Sequence, residues 1–171
     1  MILPDVLQAN LHLVFCGTAA STKSAEVGAY YANSTNYFWR TLHEVGLTPH
    51  QLTPTDFRQL LTYRIGLTDI AKHAIGNDSV LSQSDFDADA LCQKIERYQP
   101  QILAFTSKRG ASAFLKQPTG KISYGQQSET VSDTKLWVLP SPSGSARRYW
   151  DISIWQNLAD TVGNLPKSIN Q

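Results

Sequence analysis

The sequence predicts an α/β protein, a three-layer α/β/α sandwich built around a mostly parallel central sheet. Three short apolar runs, at residues 11–16, 102–106 and 136–139, have the composition of strands buried on both faces of a sheet. Segments with helical spacing of apolar residues separate these runs. Parallel strands need crossover connections, and helices supply them, so this alternation favours a covered parallel sheet.

The remaining elements follow from periodicity and capping signals. Pro100 closes the clearest amphipathic pattern, and Ser107 is a predicted N-cap. The predicted helices span 37–45, a short segment opening at Pro54 or Thr55, 85–98, 108–116 and 149–162. Residues 63–70 predict a turn into a short extended or loop segment that ends in a buried acidic residue. Residues 120–134 are weakly patterned and indicate a hairpin or an irregular excursion.

Length and composition indicate one soluble globular domain. The 171 residues predict a single domain over 1–171, with a frayed tail from about residue 163. The net charge of +1 gives no overall attraction to nucleic acid, so a basic surface would have to be local. No apolar run reaches membrane-spanning length and no secretion signal is visible, so we expect a cytoplasmic protein without a membrane partner.

Cysteine and histidine usage indicates neither disulfides nor a metal site. Cys16 and Cys92 are the two cysteines, and we expect both to be reduced thiols. The four histidines are scattered and none has ligand spacing with a cysteine or another histidine. We therefore expect no metal.

A loop of small residues follows the first predicted strand. This first loop (residues 17–25) has almost no bulky side chain, and Gly28, the pair Tyr30 and Tyr31, and Asn36 come after it. Such a loop leaves room for a ligand to approach the backbone beside aromatic rings; the alternative is a loop trimmed only for packing. In parallel sheets ligands bind beyond the carboxyl ends of the strands, where the strand order reverses, so we expect a site there.

Three segments of the sequence resemble motifs of one enzyme family. Phe15 to Trp39, with FCG, SA, a later glycine and N-x-FW, is similar to the first motif of the mismatch-specific uracil-DNA and thymine-DNA glycosylases. YRIGLTDI at 63–70 resembles the segment that follows it, and VLPSPSGSAR at 138–147 resembles the second motif. The resemblance implies a single α/β domain of the uracil-DNA glycosylase superfamily that removes a damaged or mismatched base from DNA.

The first motif departs from the family at the residue that positions the attacking water. The mismatch-specific enzymes have an asparagine where this chain has Ala19, and alanine cannot orient water. Asp69 is our candidate catalytic replacement, at the rim of the expected pocket; the alternative is an N-cap for the segment after it.

The resemblance also assigns residues to base and DNA binding. Tyr31 occupies the position of the aromatic ring that stacks on the flipped base, although a half-buried packing role is the alternative. Asn36 is expected to hold the loop in shape by bonding its backbone. The residues expected to bind the base are Gly17, Thr18, Ala19, Ser24, Tyr31 and Asn36.

A second set of residues is expected to contact DNA. The third loop (residues 140–148) is short and rich in small residues, so it can enter the gap left by an extruded base while its hydroxyls and arginines hold phosphates. Lys108, at a predicted helix start, can add a phosphate contact. The alternative for the third loop is a Pro/Ser/Gly turn with a solvated arginine pair, and the alternative for Lys108 is solvated surface. The expected DNA-binding residues are Ser141, Ser143, Gly144, Ser145, Arg147 and Lys108.

These inferences predict a monofunctional DNA glycosylase that hydrolyses the bond to uracil, or to a related deaminated base, flipped out of DNA. We expect no cofactor, a monomer, and in a prokaryote an association with the nucleoid. One alternative is a non-catalytic DNA-lesion binder that has lost the water-positioning asparagine. Another is an unrelated small-molecule α/β enzyme whose motif matches are coincidental.

Overall fold

Five strands form one sheet in a computed structural model of the protein, which describes residues 1–166 except for the side chain of Asp78. They run in the order β2-β1-β3-β5-β4, all parallel apart from β4, which pairs antiparallel with β5. Their bounds are β1 Leu13–Gly17, β2 Ile65–Asp69, β3 Ile102–Phe105, β4 Gly125–Val131 and β5 Thr134–Val138. The predicted fold class is confirmed. Residues 63–70 contain the extended segment β2, and residues 120–134 contain β4, which forms a hairpin with β5.

The α-helices agree with the prediction, apart from the unpredicted α1 and the later starts of α3 and α5. The α-helices are α1 Thr22–Val27, α2 Phe38–Glu44, α3 Ala88–Tyr98, α4 Lys108–Leu115 and α5 Ile152–Gly163. Short 3₁₀ helices span Pro54–Tyr63, Asp78–Val80, Gln83–Asp85, Thr119–Lys121 and Gly144–Tyr149. No helix within residues 1–166 has both the length and the apolar character needed to cross a membrane.

Capping side chains set the helix starts that periodicity placed wrongly. Asp87 accepts a hydrogen bond from the Ala90 amide, so α3 begins three residues later than predicted. Asp151 caps α5 in the same way, through the Ser153 amide. The unpredicted α1 begins inside the first loop and runs beyond it. Ser21 accepts a hydrogen bond from the Ser24 amide at its start, and Gly28, at φ 71°, ends the helix.

Two apolar cores lie on opposite faces of the sheet. On one face α2, the 3₁₀ helix Pro54–Tyr63 and α5 pack on the strands, with the rings of Phe15, Phe38 and Trp155 in mutual contact. On the other face lie α3 and α4. Each large side chain buried this way contributes about 1.5–3 kcal/mol relative to exposure.

The N-terminal segment (residues 2–7) covers the outer edge of β2. Val6 and Leu67 exchange two backbone hydrogen bonds of 2.9 Å, and the Ile2 amide donates to the Lys72 carbonyl. The segment therefore occupies a strand edge that would otherwise present free amides and carbonyls. At the other terminus α5 continues to Gly163, and residues 167–171 of the expected frayed tail lie outside the described residues.

The strand order reverses between β1 and β3. From β1 the chain moves to β2 on one side and then returns to place β3 on the other. The loops after these strands diverge at the carboxyl edge and leave a crevice there, as expected for an open parallel sheet.

Candidate active site

A cavity of about 410 Å³ opens at this carboxyl edge. Its walls come from residues of five segments: 17–24, 30–36, 69–79, 106–107 and 141–146. Leu3 of the N-terminal segment also lines it. Hydroxyl, amide and carboxylate groups along these walls offer hydrogen bonds to a ligand. The alanines and glycines between them are small, so they leave the cavity open.

Backbone hydrogen bonds beyond the strand ends hold the first loop in place. The Ile70 amide donates to the Gly17 carbonyl at 3.0 Å, and the Ala71 amide donates to the Thr18 carbonyl at 2.7 Å. Further along, the Gly76 amide donates to the Ala20 carbonyl at 2.9 Å. Hydrogen bonds between the segments that follow β1 and β2 therefore hold the backbone of the first loop in the cavity wall.

Gly17 permits a close approach between the first loop and three oxygen atoms. A Cβ on this residue would lie 2.6 Å from Asp69 Oδ1, 3.1 Å from the Tyr31 hydroxyl and 3.7 Å from Thr106 Oγ1. A side chain here would collide with the carboxylate, so the lack of one is what brings Asp69 against the loop. The three oxygens converge on one point at the cavity floor.

Asp69 lies at the end of β2 and is only 6% exposed. Burial raises the pKa of Asp69 to about 6, because a desolvated carboxylate is unfavourable. The nearby cation of Lys72 opposes this increase, and the negative charge of Asp5 adds to it. Asp69 is not the helix N-cap that the alternative interpretation placed there, since it ends a strand and no helix begins after it before residue 78.

The charges that act on the pKa of Asp69 belong to a cluster formed by Asp5, Lys72 and Lys94. Asp5 accepts hydrogen bonds from Lys94 at 2.7 Å, Thr68 at 2.6 Å and Lys72 at 3.0 Å. Burial alone would raise the pKa of Asp5, but these donors lower it and keep the group ionised. Lys72 also donates to the Tyr30 hydroxyl at 3.0 Å, so the cluster contacts a residue of the cavity wall.

Tyr31 lies in the cavity wall with its ring against Phe38. The ring centroids are 3.9 Å apart and the planes are inclined by 15°. The hydroxyl is 3.1 Å from Thr106 Oγ1, and burial raises the pKa of Tyr31 well above its usual value, so the phenol stays neutral. The backbone has φ 51°, a conformation that non-glycine residues rarely adopt.

The third loop is tied to residues 33–37 across the cavity mouth. The Tyr37 amide donates to the Pro142 carbonyl at 2.9 Å, and Arg147 donates to the Thr35 carbonyl at 2.8 Å. The Arg147 guanidinium also lies 4.2 Å from the centroid of the Tyr37 ring. The two segments therefore form a continuous rim.

Comparison with known proteins identifies the family. A profile of the uracil DNA glycosylase superfamily matches residues 4–159, which is most of the chain. The chain belongs to the uracil DNA glycosylase superfamily. Membership supports the role of a DNA glycosylase, a hydrolase of DNA repair.

A solved structure supports the same fold. The solution structure of a candidate uracil DNA glycosylase from Methanosarcina acetivorans superimposes with a TM-score of 0.66. The alignment covers 95% of this chain and 97% of the archaeal chain, at 20% sequence identity. The two chains therefore share one fold over nearly their whole lengths.

Within this superfamily fold, most residues selected from the sequence lie together in the cavity wall. The expected base-binding residues all line it, as do Asp69, Ser141, Ser143, Gly144 and Ser145. Asn36 accepts from the Phe38 amide at 2.9 Å, a backbone bond at the start of α2 and not within the first loop. Ser24 Oγ accepts from the Ala32 amide at 3.0 Å and so holds the loop as well as facing the cavity.

Two residues expected to contact DNA lie outside the cavity wall. Arg147 is engaged at the rim as described, and Lys108 lies at the start of α4 with its ammonium 4.5 Å from the centroid of the Tyr124 ring. Both are outside the lining and remain candidates for phosphate contact.

Sequence reasoning missed several residues of the wall. The sequence contained an indication for Thr106, because this residue ends the apolar run 102–106 at the carboxyl edge. It contained none for Leu3, Asn77 and Thr35, because long-range packing brings these residues to the site. Within residues 1–166, no three histidine, cysteine, aspartate or glutamate side chains are grouped as a metal site.

Proposed function

We propose that this superfamily member is a monofunctional glycosylase, similar to the mismatch-specific uracil and thymine enzymes, that hydrolyses the bond between deoxyribose and uracil or a related deaminated base. The observation that carries the proposal is the Asp69 carboxylate, held beside Gly17 at the cavity floor. It lies in the same cavity as Ala19, which cannot orient a water molecule.

The chemistry requires charge stabilisation at two places. As the bond to the base breaks, positive charge develops on the sugar and negative charge on the departing base. A carboxylate near the sugar stabilises the first and can accept a proton from the attacking water. Amide N–H groups and hydroxyls of the first loop can stabilise the second without any change of protonation.

The base must leave the duplex to reach this cavity. The cavity of about 410 Å³ has room for a flipped base, and the Tyr31 ring in its wall offers a stacking face. The Phe38 ring stacks on the Tyr31 ring and supports it.

The ionisation of Asp69 suits this role near neutral pH. With a pKa of about 6 the side chain is mainly a carboxylate at pH 7, and it is also a stronger base than an ordinary aspartate. Burial is the principal cause, as in other catalytic carboxylates whose surroundings raise their basicity.

Single-turnover excision from oligonucleotides tests the proposal. Strands carrying uracil, hypoxanthine, xanthine or mismatched thymine are incubated with excess protein, and abasic sites are cleaved and counted. Asp69→Asn should lower the rate on the best substrate by on the order of 10²-fold or more, because it removes the charge and the base. Asp133→Asn, at an exposed carboxylate of the β4–β5 turn, is the matched control and should leave the rate unchanged.

A reciprocal substitution tests the place of the missing asparagine. Ala19→Asn puts an amide into the cavity wall and should raise the rate on uracil. Wild-type excision by Asp69→Asn in a folded protein would contradict the assignment of Asp69.

The second candidate function is a lesion-binding protein without activity, and Ala19 is the observation that favours it. In that case no base of the panel would be excised, while uracil-containing or abasic DNA would still bind more tightly than unmodified DNA. Detection of abasic product with wild-type protein, and its loss with Asp69→Asn, would exclude this candidate.

A further inference from the structure

A second cavity, of about 420 Å³, lies between α3 and the N-terminal segment. Apolar atoms of Leu7, Ala90 and Tyr98 form part of its wall. The other lining residues are charged or polar, namely Asp5, Gln93, Lys94 and Arg97. None of these seven residues lines the cavity of the candidate active site, so the second cavity is a separate feature.

The second cavity runs along the flank of the sheet. Ala90, Lys94, Arg97 and Tyr98 recur at the spacing of one helix face, and this face of α3 meets the N-terminal segment at the edge of β2. A crossover helix runs opposite to the parallel strands that it connects, so the end of α3 at Tyr98 lies toward the amino ends of the strands. The second cavity therefore extends away from the carboxyl edge, where the candidate active site opens.

The lining of the second cavity carries one net positive charge. Lys94 donates to Asp5 at 2.7 Å, so these two charges offset each other. Arg97 forms no ion pair with any residue that the structure describes, and its guanidinium lies 5.1 Å from the centroid of the Tyr98 ring. A guanidinium beside a ring still has N–H groups for an acceptor.

These donors are suited to a phosphate monoester. The side chains of Gln93, Lys94 and Arg97 all end in N–H groups and lie on adjacent turns of α3. A phosphate monoester has three terminal acceptor oxygens and a charge of about −1.5 to −2 at pH 7, so it can accept from all three side chains. The apolar atoms of Leu7 and Tyr98 offer a surface for an organic group attached to the phosphate.

We propose that the second cavity binds a small organic phosphate monoester. Arg97, Lys94 and Gln93 hold the phosphate, and the organic part lies against Leu7 and Tyr98. The phosphate competes with Asp5 for Lys94, and Asp5 also accepts from Lys72 at 3.0 Å. The ligand therefore acts on the charges around Asp69 without entering the candidate active site.

Calorimetric titration of the full chain at low ionic strength tests the site. The probes are adenosine monophosphate (AMP), adenosine, which lacks the phosphate, and inorganic phosphate, which lacks the organic part. AMP should bind more tightly than inorganic phosphate, and adenosine should bind at least about 10-fold more weakly than AMP, since it forms none of the charge-assisted hydrogen bonds. Backbone NMR signals should shift at residues 5–7 and 90–98 rather than at 17–24 and 30–36.

Two substitutions should change the Kd for AMP in opposite directions. Arg97→Gln should raise it by roughly 5- to 50-fold, the loss of one charge-assisted hydrogen bond reduced for solvent exposure. Asp5→Asn should lower it by about 3-fold or more, because Lys94 loses the carboxylate that competes for it. Arg58→Gln is the matched control and should leave the Kd unchanged, since its guanidinium also lies beside a ring, 4.5 Å from the Phe57 centroid, but lines neither cavity.

Two results would overturn the site. One is an equal Kd for the wild type, Arg97→Gln and Asp5→Asn in proteins that thermal unfolding shows to be folded. The other is a set of NMR shifts confined to the candidate active site. Neither measurement involves excision, so AMP binding in a protein that excises no base would support the site while refuting the proposed function.

The effect of the ligand on Asp69 rests on the proposed function. The charged groups that act on Asp69 are Lys72, Asp5 and Lys94, and the Tyr31 phenol beside it stays neutral. Saturating AMP should move the pH midpoint of excision upward in the wild type, because the phosphate adds negative charge and draws Lys94 from Asp5. Arg97→Gln should show no such shift at the same AMP concentration. AMP binding with an unchanged midpoint would refute this coupling and leave the site supported.

Discussion

Tyr31 combines an unfavourable backbone conformation with two contacts of its side chain and a place in the cavity wall. Its φ of 51° costs a non-glycine residue about 1–2 kcal/mol. The ring stacks on Phe38, the hydroxyl reaches Thr106, and the side chain lines the cavity. Backbone strain retained in the wall of a cavity is consistent with a functional ring.

Two substitutions separate the ring from the hydroxyl. Tyr31→Ala should lower excision of a flipped base by about 1–3 kcal/mol in transition-state stabilisation, the value of one base–aromatic stack. Tyr31→Phe should excise at nearly the wild-type rate, since it keeps the stacking face. Single-turnover rates with saturating protein measure both.

One result for these two variants would contradict the stacking role of Tyr31. Equal damage from Tyr31→Phe and Tyr31→Ala would assign the role to the hydroxyl and its contact with Thr106, and the stacking role would be withdrawn. Thermal unfolding of both variants checks that the losses arise at the site rather than from destabilisation.

At the level of elements, the cavity mouth depends on contact between the third loop and residues 33–37. Gly144 lies against Thr35: a Cβ on Gly144 would be 2.6 Å from Thr35 Oγ1 and 2.8 Å from Thr35 Cβ. The Arg147 side chain then spans the same two segments through the Thr35 carbonyl and the Tyr37 ring. The loop expected only to contact DNA is thus also part of the scaffold.

Gly144→Ala tests this contact. The added methyl collides with the Cβ of Thr35, which cannot rotate away, so the two segments must separate. We expect a loss of about 1–3 kcal/mol in unfolding free energy, typical of overpacking, together with weaker excision. Gly120→Ala is the control, because its Cβ would meet nothing within 4 Å.

Urea unfolding monitored by tryptophan fluorescence measures both glycine variants. An unfolding midpoint for Gly144→Ala equal to that of the wild type would mean that the rim tolerates the methyl, and that the third loop is not held by Thr35.

Helices and strands could be predicted from the sequence where one local pattern determines them. The apolar runs gave β1, β3 and β5, and Ser107 gave the start of α4, where its Oγ accepts from the Gly110 amide at 3.2 Å. Helix α1 was not predicted, because its six residues have no apolar face and one capping serine, Ser21, holds its start. Short helices of this kind are stabilised by their surroundings, which a local pattern does not contain.

At the scale of the whole molecule, the N-terminal segment connects the edge of the sheet with the floor of the cavity. Leu3 lines the cavity, Val6 pairs with β2, and Asp5 holds Lys72 and Lys94 behind it. These contacts join residues more than 60 positions apart. The identity of Asp69 as a candidate was accessible from its motif, but the charges that set its ionisation were not, because they come from chain segments joined only by folding.

This cluster predicts the pH dependence of excision. Asp69 is proposed to act as a carboxylate, so the rate should rise with pH around its pKa of about 6 and level off above it. Lys72 lowers that pKa and Asp5 raises it, with Lys94 acting in the same direction as Lys72. Tyr30 and Tyr31 remain protonated throughout, because burial raises the pKa of each.

Two variants should therefore move the pH profile in opposite directions. Lys72→Met removes a nearly buried cation, so the carboxylate is less stabilised and the midpoint of the rate profile should move to higher pH. Asp5→Asn removes the anion and leaves two lysines unneutralised, so the midpoint should move to lower pH. Single-turnover rates between about pH 4.5 and 8.5, a range that brackets the Asp69 pKa of about 6, locate each midpoint, with Asp133→Asn as the surface control. Shifts of the same sign would contradict the opposing effects of Lys72 and Asp5 on the pKa of Asp69. A rate that falls with rising pH in the wild type would mean that Asp69 works in its protonated form, donating a hydrogen bond to the departing base.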